Sequence, residues 1–345
     1  MASERPAFIL REANPRDLRS LLRLARELDS VNLPTSADEM RTLLERSELS
    51  FRGKIRDHSH TLYAFCAEEI ATGRVVAASM IIGKHGTPAS AHYYLEVDSD
   101  ERYSRTLKKM FRHEYLRLRH SMDGPTEIGG LIVTRAMRGR PEHLGKQLSW
   151  VRFLYIARHL RRFERRVIAE ILPPLHPDHD NPFWDHYGRR VTGLSFREAD
   201  RLSAHDKEFI QALVPDAPLY TFLLPEEVRK SLGAIGEASR GAVRLLQQAG
   251  MKFLNQLDPF DGGPYYGAET DELKPIRQYR RAHLKAGKPG ESAVRYLIGY
   301  EDRERGFRAV AATAGNDGPA LVVEPGVIAA LGFDDHALVD TIAIP

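Results

Sequence analysis

Hydrophobic positions along the chain fall into two periods, and these divide it into elements. Phe8-Ile9-Leu10-Arg11 reads as a short strand. Asn14-Pro15-Arg16-Asp17 is a helix start: Asn at the cap, Pro in the first turn, an acid behind it. Leu18, Leu21, Leu22, Ala25 and Leu28 follow at helical spacing, and Ser36 to Leu49 predicts a second helix. Thr61 to Glu68 and Val75 to Ile82 read as strands joined through Thr72-Gly73-Arg74 as a hairpin. Arg105 to Arg119 reads as helical from its length and composition. Ile128 to Val133 reads as a strand and Thr134 to His143 as a polar loop. Leu144, Leu148, Val151, Tyr155 and Leu160 mark one face of a further helix. Val167 to Leu172 predicts another strand, and Pro182-Phe183-Trp184 opens a short helix that Gly188 ends.

Beyond Asp200 the pattern changes. Ala204 to Val214, Pro225 to Leu232, Ala242 to Ala249 and Arg277 to Ala286 look helical, with Gly250 stopping the third. Short β-like runs then dominate: Arg295 to Tyr300, Phe307 to Ala312, Ala320 to Val323 and Leu338 to Ile344. Gly315-Asn316-Asp317-Gly318 marks a turn among them. The fold class is α+β: a mixed sheet flanked by helices, a helical connection and a small β-rich C-terminal part.

Composition narrows this picture. Apolar residues make up 42% and charged residues 28%, which excludes a disordered chain. No uncharged run approaches a membrane span, and Met1 to Arg11 lacks the apolar core of an export signal. A cytoplasmic protein is the expectation. The single cysteine, Cys66, excludes an intramolecular disulfide and a Cys-rich zinc site, and its strand context reads as a small core residue. Fifty basic residues against 47 acidic ones leave a net charge of only +3. Two basic runs, Arg102 to Arg119 and Arg161 to Arg166, could attract phosphates or simply be solvated faces. A nucleic-acid partner is therefore a competing reading, not the expected one.

The chemistry concentrates where a strand feeds a helix through Arg138-Gly139-Arg140-Pro141-Glu142-His143-Leu144-Gly145. Free N–H groups at a helix start favour an anion, though an ordinary strand–helix connection would look the same. The loop resembles the Arg/Gln-x-x-Gly-x-Gly/Ala loop of GNAT-type acyltransferases, with His143 where that pattern has its first glycine. In GNAT enzymes a tyrosine after the next strand often protonates the departing thiolate. Tyr187 in Asn181-Pro182-Phe183-Trp184-Asp185-His186-Tyr187-Gly188 would serve, unless it is simply a core aromatic. Glu170 interrupts an apolar strand, and a carboxylate there needs a partner. It is a candidate base or a contact for a cationic acceptor, with a structural ion pair as the alternative. Asp178-His179-Asp180 with His176 offers ligand atoms, but no second cluster accompanies them and no metal is expected.

An ordered series of matches runs along nearly the whole chain. It includes Tyr63-Ala64-Phe65, Thr72-Gly73-Arg74-Val75, Leu148-Ser149 with Arg152-Phe153, Ala169-Glu170, Pro182-Phe183-Trp184 and Phe260-Asp261-Gly262-Gly263-Pro264. In these the sequence resembles the arginine N-succinyltransferase family. The resemblance implies a GNAT-type sheet, succinyl-CoA or another acyl-CoA as co-substrate, the α-amine of arginine or a related amine as acceptor, and an oligomer with itself or a homologous subunit. It also implies an acyl-CoA-binding part over residues 1–200, a helical, substrate-side part over 201–290 and a β-rich part over 291–345. Its acyl-CoA contact falls on Leu131, with Val133 facing the same way, and Gly139, Arg140, His143, Leu144 and Gly145 would hold the pyrophosphate. Glu127 and Asp98 are candidate substrate contacts. The family's catalytic histidine corresponds to Gly236, and its His-Ala-Ser near the substrate corresponds to about Asp98-Ser99. A non-catalytic or substrate-diverged homologue, acting as a partner subunit or CoA-binding regulator, is the alternative.

Overall fold

The computed structural model describes residues 5–27, 33–88, 90–174, 181–203, 208–333 and 336–345. Leu28, His176, Asp178, His179, Asp180 and the start of the Ala204 helix lie outside the described residues. Among the described residues no helix is long and apolar enough to cross a membrane.

The chain opens with β1 (Phe8–Glu12), α1 (Leu18–Glu27) and α2 (Ala37–Phe51). Asn14 caps the first turn, its side chain accepting the N–H of Arg16, while Asp17 reaches back to the N–H of Asn14. The hairpin β2 (Leu62–Glu69) and β3 (Arg74–Ile82) follows. Then come β4 (His92–Ser104), β5 (Lys109–Ser121) and β6 (Thr126–Val133). The helix α3 (Leu144–Arg158) leads to β7 (Arg166–Glu170), and a wide turn over Trp184–Gly188 continues into α4 (Arg189–Thr192). Next are α5 (Phe196–Ser203), α6 (Glu208–Leu213), β8 (Leu219–Tyr220), α7 (Glu226–Ser231) and α8 (Arg240–Ala249). The strands β9 (Lys252–Leu257) and β10 (Pro264–Glu269) lead through α9 (Lys274–Arg277) to β11 (Arg280–Ala286). The end is β12 (Val294–Asp302), β13 (Gly306–Asp317), β14 (Ala320–Val323), α10 (Pro325–Leu331) and β15 (Leu338–Ala343).

Two helix expectations are corrected. The stretch Arg105 to Arg119 is a tight turn over 105–108 followed by β5, which pairs with β4 residue for residue from His92↔Ser121 to Ser104↔Lys109. Its arginines, lysines and leucines favour a helix intrinsically. The alternation in Leu116-Arg117-Leu118-Arg119 suits a sheet, and pairing with a long partner strand overrides propensity. The basic run is thus a hairpin arm, where Arg119 meets Glu96 at 2.9 Å. The second is Arg277 to Ala286: α9 stops at Arg277, and β11 turns Ala282 and Leu284 inward at period two.

The strands β12, β15, β11, β14 and β13 close on themselves, because β12 pairs with both β15 and β13. This five-stranded barrel is filled by Leu284, Val310, Leu321 and Leu331. The barrel and the N-terminal sheet are joined where β1 pairs with both β13 and β2. The largest core draws on residues 8–171, on Val243 to Leu273, and on Leu297, Phe307 and Ile342 of the barrel. Helix α3 passes through its middle and is buried on nearly every side, with Trp150, Phe153, Leu154 and Tyr155 in the core and Gln147, Ser149 and Arg152 buried as well.

Candidate active site

The site begins as a split in the sheet. Strand β6 pairs with β7 in parallel only at Thr126↔Val167 and Glu127↔Ile168. Beyond that the two strands part, and a cavity of about 760 Å³ opens between them. On its other edge β6 stays paired with β3, but with a bulge between Ala78↔Ile132 and Met80↔Gly129. Gly130 makes that bulge at φ 59°, and a Cβ there would lie 2.6 Å from Met80 Cε. After the bulge the N–H of Thr134 donates to Val76 O at 3.0 Å. By alternation Ile132 also addresses β3, so Leu131 and Val133 turn their backbone groups toward the gap. Arg138 Nε reaches the freed carbonyl of Val133 at 2.9 Å.

The helix start closes one end of the gap. His143 holds φ 51° and ψ 50° as the residue before α3. This left-handed backbone explains why the resembled pattern carries glycine at that position. Lys146 and Gln147 donate to His143 O at 2.8 and 3.2 Å. The N–H groups ahead of them, on Leu144 and Gly145, are the surplus donors of a helix start, and the helix dipole makes this end electropositive. Leu131, Val133, Gly139, Arg140, His143, Leu144 and Gly145 all line the cavity. The set could hold a diphosphate at one end and an acyl thioester along β6.

The far end is acidic. Glu127 and Glu170 both line the cavity, so two of the predicted substrate-side residues come together there. Glu127 Oε2 lies 2.5 Å from His85 Nε2. Glu170 Oε2 lies 3.5 Å from Tyr265 Oη, which donates to Asp258 Oδ2 at 3.2 Å. Glu170, Asp258 and Asp261 bring carboxylate oxygens within 4.8 Å of one another, a grouping able to hold a cation. Each aspartate also accepts N–H groups of its own loop, Asp258 from Phe260 at 2.7 Å and Asp261 from Gly263 at 2.7 Å. The Phe-Asp-Gly-Gly-Pro run is thus the tight turn between β9 and β10. Burial, helped by the neighbouring carboxylates, pushes the Tyr265 hydroxyl well above its ordinary range.

Two predicted residues lie elsewhere. Tyr187 stacks on Phe183, with ring centroids 5.6 Å apart, in a cluster with Leu95, Val228 and Leu257. It is not among the residues lining the cavity, and burial raises its hydroxyl. Asp98 sits on the β4–β5 arm and accepts from the N–H of Ser99 and from Tyr115 Oη, which hold its carboxyl below its ordinary range. It too lies outside the cavity lining. Gly236 donates its N–H to Leu172 O at 3.0 Å, at the end of β7. A Cβ at Gly236 would lie 2.8 Å from Pro173 O, so the backbone here leaves no room for a histidine. Cys66 is fully buried beneath Arg11, and burial pushes its thiol far up, as a core residue requires.

Residues given no role beforehand complete the walls: Met80, Gly129, Gly130, Ser149 and Arg152 on one side, Ala238, Ser239, Gly241, Ala242, Leu245 and Leu246 on the other. Gly145, Ser149 and Arg152 follow at helical spacing on α3, a polar stripe that was readable in the sequence.

Comparison with known proteins follows the same lines. A family model described as the arginine N-succinyltransferase beta subunit matches residues 8–275. The beta subunit of arginine N-succinyltransferase from Pseudomonas aeruginosa is 31% identical over 326 residues, covering 92% of this chain and 93% of that one. The alpha subunit from the same organism is 29% identical over 344 residues, covering 98% and 100%. The solved structure of arginine/ornithine succinyltransferase subunit AI from Pseudomonas aeruginosa superimposes with a TM-score of 0.82 at 26% identity, covering 99% of both chains.

Proposed function

This chain belongs to the arginine N-succinyltransferase family and is an acyl-CoA-dependent N-acyltransferase, and we propose that it transfers succinyl from succinyl-CoA to the α-amine of arginine or a related amine. The observation that carries the reading is the gap between β6 and β7, with a helix start at one end and carboxylates at the other.

In this reading the Leu144 and Gly145 N–H groups and Arg140 take the pyrophosphate. The pantetheine arm runs along the backbone of Val133 and Leu131, beside Arg138, which holds the Val133 carbonyl. The thioester carbonyl then meets the Leu131 N–H, which stabilises the oxygen as it gains charge. The acceptor enters as a cation, and Glu170 beside Asp258 and Asp261 suits an ammonium or guanidinium better than a neutral amine. The acceptor must lose a proton before attack, and Glu170, a carboxylate lining the gap, can receive it, directly or through water. The nitrogen lone pair attacks the carbonyl carbon; the C–N bond forms and the C–S bond breaks, and the nitrogen's second proton passes, directly or through water, to the departing thiolate, so that coenzyme A leaves as the thiol.

A non-catalytic role is not favoured: the gap keeps its acidic end although glycine occupies position 236. The subunit assembles with itself or with a homologous chain. Mass analysis of the products with succinyl-CoA and a panel of arginine, ornithine and simple amines tests the reading. Succinylated arginine or ornithine is the expected product; acylation of none of them would defeat it.

A further inference from the structure

We propose that Arg152 grips the distal carboxylate of the succinyl group and so makes the gap select a dicarboxylic monothioester over an uncharged acyl-CoA. The proposal deepens the transfer reading above and rests on it for the identity of the acyl group.

Arg152 is the anomaly of this cavity. It is 2% exposed and lines the gap between β6 and β7. A buried guanidinium ordinarily has a carboxylate partner, because an unpaired buried charge is costly. Here its contacts are all neutral: Nε to Ser149 O at 3.4 Å, Nη1 to Gly129 O at 3.2 Å, and Nη2 to Ser149 Oγ at 3.0 Å. Among the described residues no carboxylate lies within 4 Å of it, in contrast to the half-buried Arg11, which forks onto both oxygens of Asp17 at 2.8 Å. Burial pulls the Arg152 guanidinium down to about 9, which still leaves it protonated at neutral pH. A guanidinium carries five N–H donors, so each terminal nitrogen keeps one unspent. A guanidinium with a donor left on each terminal nitrogen can bind a carboxylate through two hydrogen bonds.

The position fits the acyl end of the donor. Gly129, which anchors Nη1, stands two residues before Leu131, no more than about 7 Å along the strand and less across the bulge at Gly130. A succinyl carboxylate lies three carbon–carbon bonds beyond the thioester carbonyl, about 4 Å when extended. With the carbonyl at the Leu131 N–H, the carboxylate comes within hydrogen-bond reach of a guanidinium held at Gly129. An acetyl group would end short of it, and a butyryl group would set a methyl against a buried cation. Glu127 lies on the same side of the strand, but His85 engages its carboxylate.

The test is calorimetric titration with succinyl-CoA and with butyryl-CoA, which has the same carbon count with a methyl in place of the carboxylate, and without any acceptor amine. The wild-type chain is expected to bind succinyl-CoA about 100-fold more tightly. In Arg152→Met that advantage falls to within a few-fold while butyryl-CoA affinity is kept, and Arg152→Lys restores part of it. Equal binding of both thioesters by the wild-type chain overturns the proposal, whether or not Arg152→Met folds. A folded Arg152→Met that keeps the preference overturns it as well. A wild-type chain that shows the preference but acylates no amine contradicts the transfer reading and supports the role of Arg152.

Discussion

Single side chains decide most of the chemistry proposed for this chain, and their positions were unequally legible. Leu131, Val133, Gly139, Arg140, His143, Leu144 and Gly145 were singled out by the resemblance of one strand–loop–helix run to a known pattern, and the structure gathers all of them on one cavity. Neighbours in sequence stay neighbours there, because a helix start must follow its own loop. Tyr187 was read from its place after the next strand, and its ring instead packs on Phe183. Its direction depends on the wide turn at Trp184–Gly188, which no local pattern announces. Tyr187→Phe is therefore expected to keep the rate of thiol release within about 2-fold, whereas Glu170→Gln should raise the KM for the amine by about 10-fold or more. Steady-state kinetics on both variants checks the contrast. Glu12, far from the gap, gives a pH prediction. Burial pushes its carboxyl up from 4.5 to about 7. Below pH 4.5 it is neutral in folded and unfolded chains alike; as the pH rises toward and through 7, the unfolded chain ionises more readily and stability is lost. Glu12→Gln should remove that loss, gaining roughly 1–2 kcal/mol at pH 8 after allowance for partial exposure, as read from urea unfolding.

At the scale of elements, the hydrophobic pattern served where burial was extensive and failed where pairing overrode propensity. The β2–β3 hairpin and α3 were legible from their apolar runs: β2 and β3 bury both faces, Phe65 and Ile81 against the largest core and Cys66 and Ala78 against the helices α1 and α2, and Leu148 of α3 is buried in the largest core. The arm formed by β4 and β5 did not, because an Arg- and Lys-rich strand looks like a helix until its partner is known. The bulge in β6 was invisible for the opposite reason: Gly129-Gly130 reads as flexible, and only the register with β3 shows that Gly130 alone needs a positive φ. Gly130→Ala should cost about 1–2 kcal/mol of stability. The Met80 side chain must shift to admit the new methyl, and the Leu131 N–H moves with the strand. The rate of acyl transfer should accordingly fall further than the KM for either substrate rises.

The whole molecule is knit together by α3. Its start faces the gap, and its end is fastened to the barrel. Arg158 Nε meets Glu301 at 2.9 Å, His159 Nε2 meets the same carboxylate at 2.7 Å, and Arg158 also pairs with the buried Asp340. The sequence marked residues 291–345 as β-rich but could not show that β12 closes the barrel or that Leu297, Phe307 and Ile342 join the main core. Long-range closure leaves no local signature. Trp150→Ala is expected to cost about 3–5 kcal/mol and to lower a single unfolding transition, because sheet and barrel share the helix it empties. The central claim is that the split between β6 and β7 holds an acyl-CoA by its pyrophosphate at the start of α3. Titrating the wild-type chain and Arg140→Glu with succinyl-CoA in a calorimeter tests it most directly, since Arg140 is exposed and its replacement leaves the core intact. Saturable binding at one site per chain, weakened about 10-fold or more by the charge reversal, is the predicted result. No binding, or binding that Arg140→Glu leaves unchanged, would contradict the account.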